Sequence, residues 1–525
     1  MTGDAVAGAA FTAASWWPFA AVALPLVGVA VGAIGEHAPG RWKGVTLLAL
    51  GAATFAVTLA VVPGVLAGRT YEVFVLRMTT QLWLTLRIDA VGAAYAATVA
   101  GLGLLALVYS FGYLPRGPRR ARYFAILMAC LACTLGVAYA GNLLTFLIFY
   151  EAFSVLTYAL VVHEQTPAAL AAGVKYIAYI LVGGSLVLAG VLLSFFLAGD
   201  LTFAAGGMLP ADAPTGQLLA AFWCFVAGFG VKAALVPLHG WVPDAHPAAP
   251  APFSAVLSGV MVAAGAFGIL RVVFDVFGVA LVRELGAAPW LAGVAALTVL
   301  FGAVMALSQD DLKRRLAYST ISQMGYLTLA IALLGAGATA GALVHLVHHA
   351  FMKGTLFFCA GLWIHGTGHR RLSQLRGVGA RMPLTTAAFT LAAFGMIGMP
   401  PLSGFVSKWW LGVGMLEVDA PLALVVLLAG ALLAAAYLLP VVYLAYFAPP
   451  LPTPLAGAGV ATAASGPAPA TAWGAGGRRA EAAASMLVPT LVAAALTLVL
   501  GLGSLLPGFP LELARAATRA WFGGG

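Results

Sequence analysis

The sequence predicts an all-α polytopic membrane protein of about 14 transmembrane helices. Three observations carry that reading. Hydrophobic residues make up 62% of the 525 and charged residues only 8%, against about 25% charged in a soluble domain. Mean hydropathy is +1.01, and so little polar surface cannot cover a soluble core of this size. The apolar residues come in runs of about 20 without alternation, which favours spanning helices over a β-barrel. Together these exclude a cytoplasmic enzyme, a nucleic-acid binder and a disordered chain.

The runs cover residues 18–35, 45–68, 88–112, 122–141, 143–162, 169–197, 217–237, 254–276, 287–307, 316–336, 340–364, 384–412, 421–447 and 485–505. Each is long enough to cross about 30 Å at about 1.5 Å per residue. Residues 1–112 form an N-terminal three-helix segment. No Lys or Arg lies between Met1 and Trp17, so the first run lacks a signal peptide's basic head and reads as a span. Residues 113–276 and 277–447 each carry five runs. Residues 448–484 are rich in Pro, Ala, Gly and Thr with no apolar period, and read as a cytoplasmic linker. Residues 485–525 hold the last span and a tail, in which 510–522 reads either as a short interfacial helix or as frayed chain.

An even number of spans puts both termini on one side. Alternate connections carry Arg41, Lys43, Arg116, Arg119, Arg120, Arg122, Lys175, Lys313, Arg314, Arg315, Arg370, Arg371, Arg376, Arg381, Arg478 and Arg479, which is 16 of the 26 basic residues. The opposite side holds Arg69, Arg77, Arg87, Arg271, Arg283, Arg515 and Arg519. The asymmetry makes the first set cytoplasmic and turns both termini outward, in a bacterial-type inner membrane. The net charge of +9 therefore reflects loop asymmetry, not a nucleic-acid partner. Cys130, Cys133, Cys224 and Cys359 all fall inside apolar runs and read as small buried hydrophobes.

Two spans look broken. Gly228–Pro237 interrupts the seventh, and Met399-Pro-Pro-Leu-Ser-Gly404 interrupts the twelfth. Proline removes a backbone donor, and irregular backbone at membrane depth survives only inside protein or beside a wet cavity. Each break lies near an intramembrane lysine, Lys232 or Lys408. Five spans apart, the breaks have opposite orientation, as in an inverted repeat built around a shared midplane pathway.

The ionisable residues within the runs are the candidate site. Glu151 has about eight apolar-run residues on either side, and a lone carboxylate at that depth is costly unless paired or protonated. Lys232 is its natural partner, since a buried lysine can release its proton and a carboxylate nearby holds it; the alternatives are a neutral helix-packing Glu and a static ion pair. His345, His349 and Lys353 follow one another at i, i+4 on one stripe of span 11, with His348 beside them. Histidine titrates near neutrality, so the stripe suits a proton relay; a metal site lacks any acidic residue in the same turn. Lys408 is placed to release a proton outward or to snorkel to the interface. His239, Asp244 and His246 lie in the loop after span 7, which reads as an uptake funnel or a stiff Pro-set connection. Asp310-Asp-Leu-Lys-Arg-Arg315 reads as an interface anchor.

Tyr150-Glu151, Lys232 with Pro237-Leu-His-Gly-Trp-Val-Pro-Asp-Ala-His246, Asp311 to Gln323, His345 to Lys353 and Gly404-Phe-Val-Ser-Lys408 together resemble the antiporter-like membrane subunits. That family includes the pumping subunits of NADH–quinone oxidoreductase, the large subunits of Mrp-type cation/proton antiporters and hydrogenase membrane subunits. The resemblance covers roughly residues 85–445. His-Pro-Ala-Ala-Pro and His-His-Ala-Phe-Met-Lys-Gly resemble the Mrp D subunit. The resemblance implies two inverted five-helix repeats with discontinuous helices 7 and 12, the Glu151–Lys232 pair in one half-channel, a His345–His349–Lys353 relay, and Lys408 in the second broken helix. One position departs. The family usually has a span-8 lysine 17 residues after the loop histidine, where this chain has Ala263. That implies a water-filled bypass of span 8, or a different or weaker transport.

The expected function is proton translocation within a larger complex of membrane subunits, with Na⁺ or K⁺ as candidate exchanged cations and lipid as surroundings. Neither a dinucleotide fingerprint nor clustered cysteines for iron–sulfur ligation occurs, so no cofactor or metal is expected in this chain and any redox enzymology belongs to partners. The alternative is the membrane half of a two-component inorganic-carbon uptake transporter with a zinc-binding partner.

Overall fold

The computed structural model describes residues 11–33, 42–79, 82–114, 118–449, 481–508 and 510–523. Arg41, Arg116, Arg478, Arg479 and linker residues 450–480 lie outside the described residues.

The chain opens with β1 (Phe11–Ala14), α1 (Trp17–Ala33), α2 (Trp42–Ala60) and the short α3 (Val62–Leu66). The next elements are strands, which corrects the all-α expectation. β2 (Arg69–Arg77) pairs in parallel with β1 and antiparallel with β3 (Trp83–Ile88). Glu72 stands opposite Arg87 in that register and bonds its guanidinium at 2.8 Å.

α4 (Ala90–Tyr113), α5 (Pro118–Ala138), α6 (Leu143–Val161) and α7 (Pro167–Ala198) follow. Their starts are written in the capping residues. Asp89 accepts from Gly92 N at 2.7 Å, Asn142 from Thr145 N at 2.7 Å and Thr166 from Ala169 N at 3.1 Å. α7 stops at the left-handed Gly199, φ +70°.

α8 (Thr215–Lys232) ends short of the expected span limit, at the lysine itself. Ala234 has φ +57° and Pro237 offers no N–H, so the helix cannot continue. The following segment is not all loop: α9 (Val242–Ala248) lies within it. α10 (Ala251–Val256), a π-turn segment Leu257–Met261, α11 (Ala263–Arg271) and a second π segment Val272–Phe277 then form one continuous rod.

α12 (Val279–Glu284), α13 (Ala288–Leu307), α14 (Leu312–Ala332) and α15 (Ala336–Thr367) come next. After the short α16 (Val378–Arg381), α17 (Pro383–Ile397) and α18 (Ser403–Glu417) are two half-helices separated at the Pro400-Pro401 break. α19 (Pro421–Tyr446), α20 (Ala484–Leu502) and α21 (Pro510–Phe522) complete the chain.

Among the described residues, eleven helices are long and apolar enough to cross a membrane. α14 is not one of them, because Lys313, Arg314 and Arg315 at its start and the fully buried Ser319, Thr320, Ser322 and Gln323 make it too polar. The most apolar windows of α15 and of the Ala251–Phe277 rod are completely buried, against 28% for α2 and 33% for α19. The first two are therefore the axis of the molecule and the last two its perimeter. Small residues let the axis pack closely: a Cβ at Gly341 of α15 would come within 2.7 Å of Leu411 N.

Two further expectations change. Lys313 and Arg315 do not anchor an exposed interface: both are buried, Lys313 donating to Ala249 O and Arg315 to Tyr437 O (2.7 Å) and Gln309 O (2.9 Å). Residues 510–522 are helix, not frayed chain, and the helix is docked. Trp521 stacks on Phe274 at 4.6 Å and donates from Nε1 to Asp275 Oδ1 at 2.6 Å. α21 and the β2 strand both touch α3.

Candidate functional site

Lys232 closes α8 and is fully buried. Its ammonium donates to the Tyr176 hydroxyl of α7 at 3.0 Å and lies over the rings of Phe153 (4.3 Å) and Trp241 (5.9 Å). Tyr176 in turn donates to Ser154 O at 2.7 Å. The direct ion pair expected with Glu151 is not formed. Glu151 is half-buried on α6, its carboxylate lies against Gly184 of α7, and its Oε1 has no hydrogen-bond partner. Phe153, two residues on, puts its ring beneath the ammonium, and Tyr176 takes the amine's hydrogen bond. Tyr176 was missed in the sequence because one tyrosine in an apolar run carries no distinguishing signal.

The segment after α8 divides its three candidates. Asp244 stays near solvent and pairs with Lys175 at 2.7 Å and Arg314 at 3.5 Å. His239 packs edge-on to Phe301 at 4.8 Å. Burial first, then the Lys175 ammonium, hold its pKa below the usual histidine value. His246 is not at the surface: α9 turns it inward, where it is fully buried and stacked on Phe357 at 5.0 Å. Neither of its ring nitrogens has a hydrogen-bond partner.

α15 carries the other cluster, and all four residues are buried. His345 bridges two elements, with Nε2 3.0 Å from Gln323 Oε1 on α14 and Nδ1 2.9 Å from Ser407 Oγ on α18. An amide oxygen only accepts, so Nε2 carries a proton toward Gln323. His348 donates from Nδ1 to Ser403 O at 2.7 Å. The His349 ring lies 6.0 Å from that of His345, and neither of its nitrogens is bonded. Lys353 donates to Leu316 O at 3.0 Å and to the Ser319 hydroxyl, both on α14.

Lys408 does not snorkel. It is 8% exposed, lies 5.5 Å over the Tyr326 ring, and donates to Met396 O (2.8 Å) and Ile397 O (3.0 Å). It thereby satisfies the carbonyls that end α17. His345 reaches the Ser407 beside it and His348 reaches Ser403 O, so two histidines join α15 to α18. Such a line of buried amines and imidazoles, with Lys232, His345, His348, Lys353 and Lys408 bonded to hydroxyls or carbonyl oxygens, can take up, hold and pass protons. Among the described residues, no group of three or more His, Cys, Asp or Glu is placed to hold a metal ion.

Residues 140–446 match the family model described as NADH:quinone oxidoreductase/Mrp antiporter, TM, and residues 77–124 that of NADH-Ubiquinone oxidoreductase (complex I), chain 5 N-terminus. The chain is 36% identical over 461 residues to NADH-quinone oxidoreductase subunit N of Desulforudis audaxviator (strain MP104C), covering 87% of this chain and 88% of the relative. It is 32% identical to hydrogenase-4 component B of Escherichia coli (strain K12), over 66% of this chain but about half, 53%, of the relative. Its fold is similar to a chain of the Mrp complex from Dietzia sp. DQ12-45-1b, with TM-score 0.82, 24% identity and coverage of 97% and 98%.

Proposed function

The chain is a member of the NADH:quinone oxidoreductase/Mrp antiporter family of membrane subunits, and from that membership we propose that it moves protons across the membrane as one subunit of a larger complex. Protons enter from the cytoplasmic side past His239, Asp244 and His246. Lys232 holds one under the influence of Glu151. His345, His349 and Lys353 relay it, with His348 gating, and Lys408 releases it outward. The observation that carries this reading is the buried line of titratable groups on α8, α15 and α18, joined by hydrogen bonds across helices instead of neutralised in ion pairs.

The proposed architecture has 14 transmembrane helices, with residues 113–276 and 277–447 as inverted five-helix repeats. In support, α8 stops at Lys232, and the α17–α18 break is closed by Lys408. The basic-residue asymmetry turns both termini to the outer face of a bacterial-type inner membrane, with 448–484 in the cytoplasm. Other membrane subunits are the expected partners, as in the multisubunit Mrp complex. The energy comes from a partner's redox reaction or from exchange against Na⁺ or K⁺. No redox cofactor is assigned to this chain. Neither of the relatives named above supports the carbon-uptake alternative.

The test is proton flux through the intact purified complex in vesicles, driven by an imposed membrane potential and read with a pH-sensitive dye. Lys232→Ala and Lys353→Ala each abolish flux with assembly unchanged; retained flux in either overturns the path.

A further inference from the structure

The axis of the molecule has no titratable side chain where the rod Ala251–Phe277 crosses between the Lys232 cluster and α15, because that position is Ala263. It has a hydroxyl pair instead. Ser258 of the rod and Thr320 of α14 lie 2.6 Å apart, Oγ to Oγ1, and both are fully buried. Thr320 Oγ1 also donates to Leu316 O at 3.0 Å, and the same carbonyl accepts from Lys353 Nζ at 3.0 Å. The pair and the amine thus meet on one oxygen. Ser258 sits in the π-turn segment Leu257–Met261, in which Val262 N bonds Leu257 O at 2.8 Å. One turn on, Met261 Sδ lies 3.8 Å from Thr157 Oγ1 of α6, whose neighbour Ser154 accepts from Tyr176, the partner of Lys232.

We infer that Ser258 and Thr320 are the crossing point through which a proton passes between the Lys232 half and the Lys353 half of the molecule. This rests on the proton-path reading above and names residues that it does not use. The step conserves charge at each hydroxyl. A proton reaching Ser258 Oγ displaces the Ser258 hydroxyl proton onto Thr320 Oγ1, and Thr320 gives up its own to the neutral Lys353 amine. Both hydroxyls end neutral, and rotation about their C–O bonds restores the starting direction. A donor–acceptor pair at 2.6 Å is within the range for such a hop. The π turn supports this geometry, since a widened turn re-aims one side chain without breaking the rod.

The experiment uses the intact complex in vesicles, with flux driven by an imposed potential. Thr320→Val keeps the shape of the side chain and removes the hydroxyl; Thr320→Ser keeps the hydroxyl and removes the methyl. Ser258→Ala is the smaller change that decides the matter if Thr320→Val fails to assemble. The expected result is a loss of about tenfold or more in flux for Thr320→Val and Ser258→Ala, with near wild-type flux for Thr320→Ser. Full flux in an assembled Thr320→Val or Ser258→Ala complex overturns the inference, as does equal loss in Thr320→Val and Thr320→Ser, which assigns the effect to packing. Lys232→Ala is run alongside: if it alone is inactive, the proton path stands and the crossing fails; if it is fully active, the path itself fails.

Discussion

The Lys408 ammonium lies 3.0 Å from the carbonyl of Ile397, so the charge of one half-helix closes the end of the other. Removing it exposes two effects that can be separated. Lys408→Ala leaves the Met396 and Ile397 carbonyls without their donor, at a cost of about 1–3 kcal/mol. The expected outcome is a lowered melting temperature together with lost proton flux. A lowered melting temperature with full flux limits Lys408 to capping.

Tyr176→Phe keeps the aromatic ring beside Lys232 and deletes only the hydroxyl that accepts from it. A hydrogen bond to a charged donor contributes about 1.5–3 kcal/mol. Flux is expected to fall about tenfold or more, with assembly and yield unchanged. Unchanged flux shows that Lys232 does not work through Tyr176.

Arg271 is 3% exposed and bonds Asp89 at 2.6 Å and Asp275 at 2.8 Å, so its removal takes the counter-ion from two carboxylates. Arg271→Ala is expected to destabilise by about 3–5 kcal/mol and prevent assembly. Trp521→Phe is the mild counterpart, since it keeps the stack on Phe274 and loses only the bond to Asp275. It should leave the bundle folded but make α21 more sensitive to proteolysis; an unchanged digestion pattern shows that packing alone holds α21.

His163, just past α6, sits edge-on to Tyr123, and its pKa is pushed down to about 4 by burial, with Arg122 and Arg119 adding to the effect. It is neutral when folded at pH values where an unfolded histidine, of pKa 6.5, is charged. The folded state therefore binds fewer protons, and stability falls as pH drops from 6.5 towards 4. His163→Gln should flatten that part of the melting-temperature profile in detergent; a profile unchanged by the substitution assigns the pH dependence elsewhere.

Much of the architecture was legible because its punctuation is local. Pro237 and Pro400 mark the two breaks. The i, i+4 spacing placed His345, His349 and Lys353 on one stripe, and the structure keeps them there. What was not legible depends on partners distant in sequence. Burial of His246 needs Phe357, more than a hundred residues later, and the bond from Lys232 needs Tyr176. The β2 strand, Arg69-Thr-Tyr-Glu-Val-Phe-Val-Leu-Arg77, did carry a β-branched and aromatic signal, masked by the apolar run before it.

The complete burial of α15 bears on how the chain is made. Its most apolar window has a mean hydropathy of only 1.2, and it carries three histidines and a lysine. The neighbours that satisfy His345 and His348 on α18, and that pack on it from α20, are synthesised after it. A lysine alone at the centre of a lipid-facing helix costs about 2.5–3.5 kcal/mol for translocon-mediated insertion. α15 therefore has to leave the insertion machinery in company: α14, made just before it, already offers Leu316 O and Ser319 to Lys353. The pairing of α14 and α15 can thus satisfy Lys353 before α18 and α20 are made.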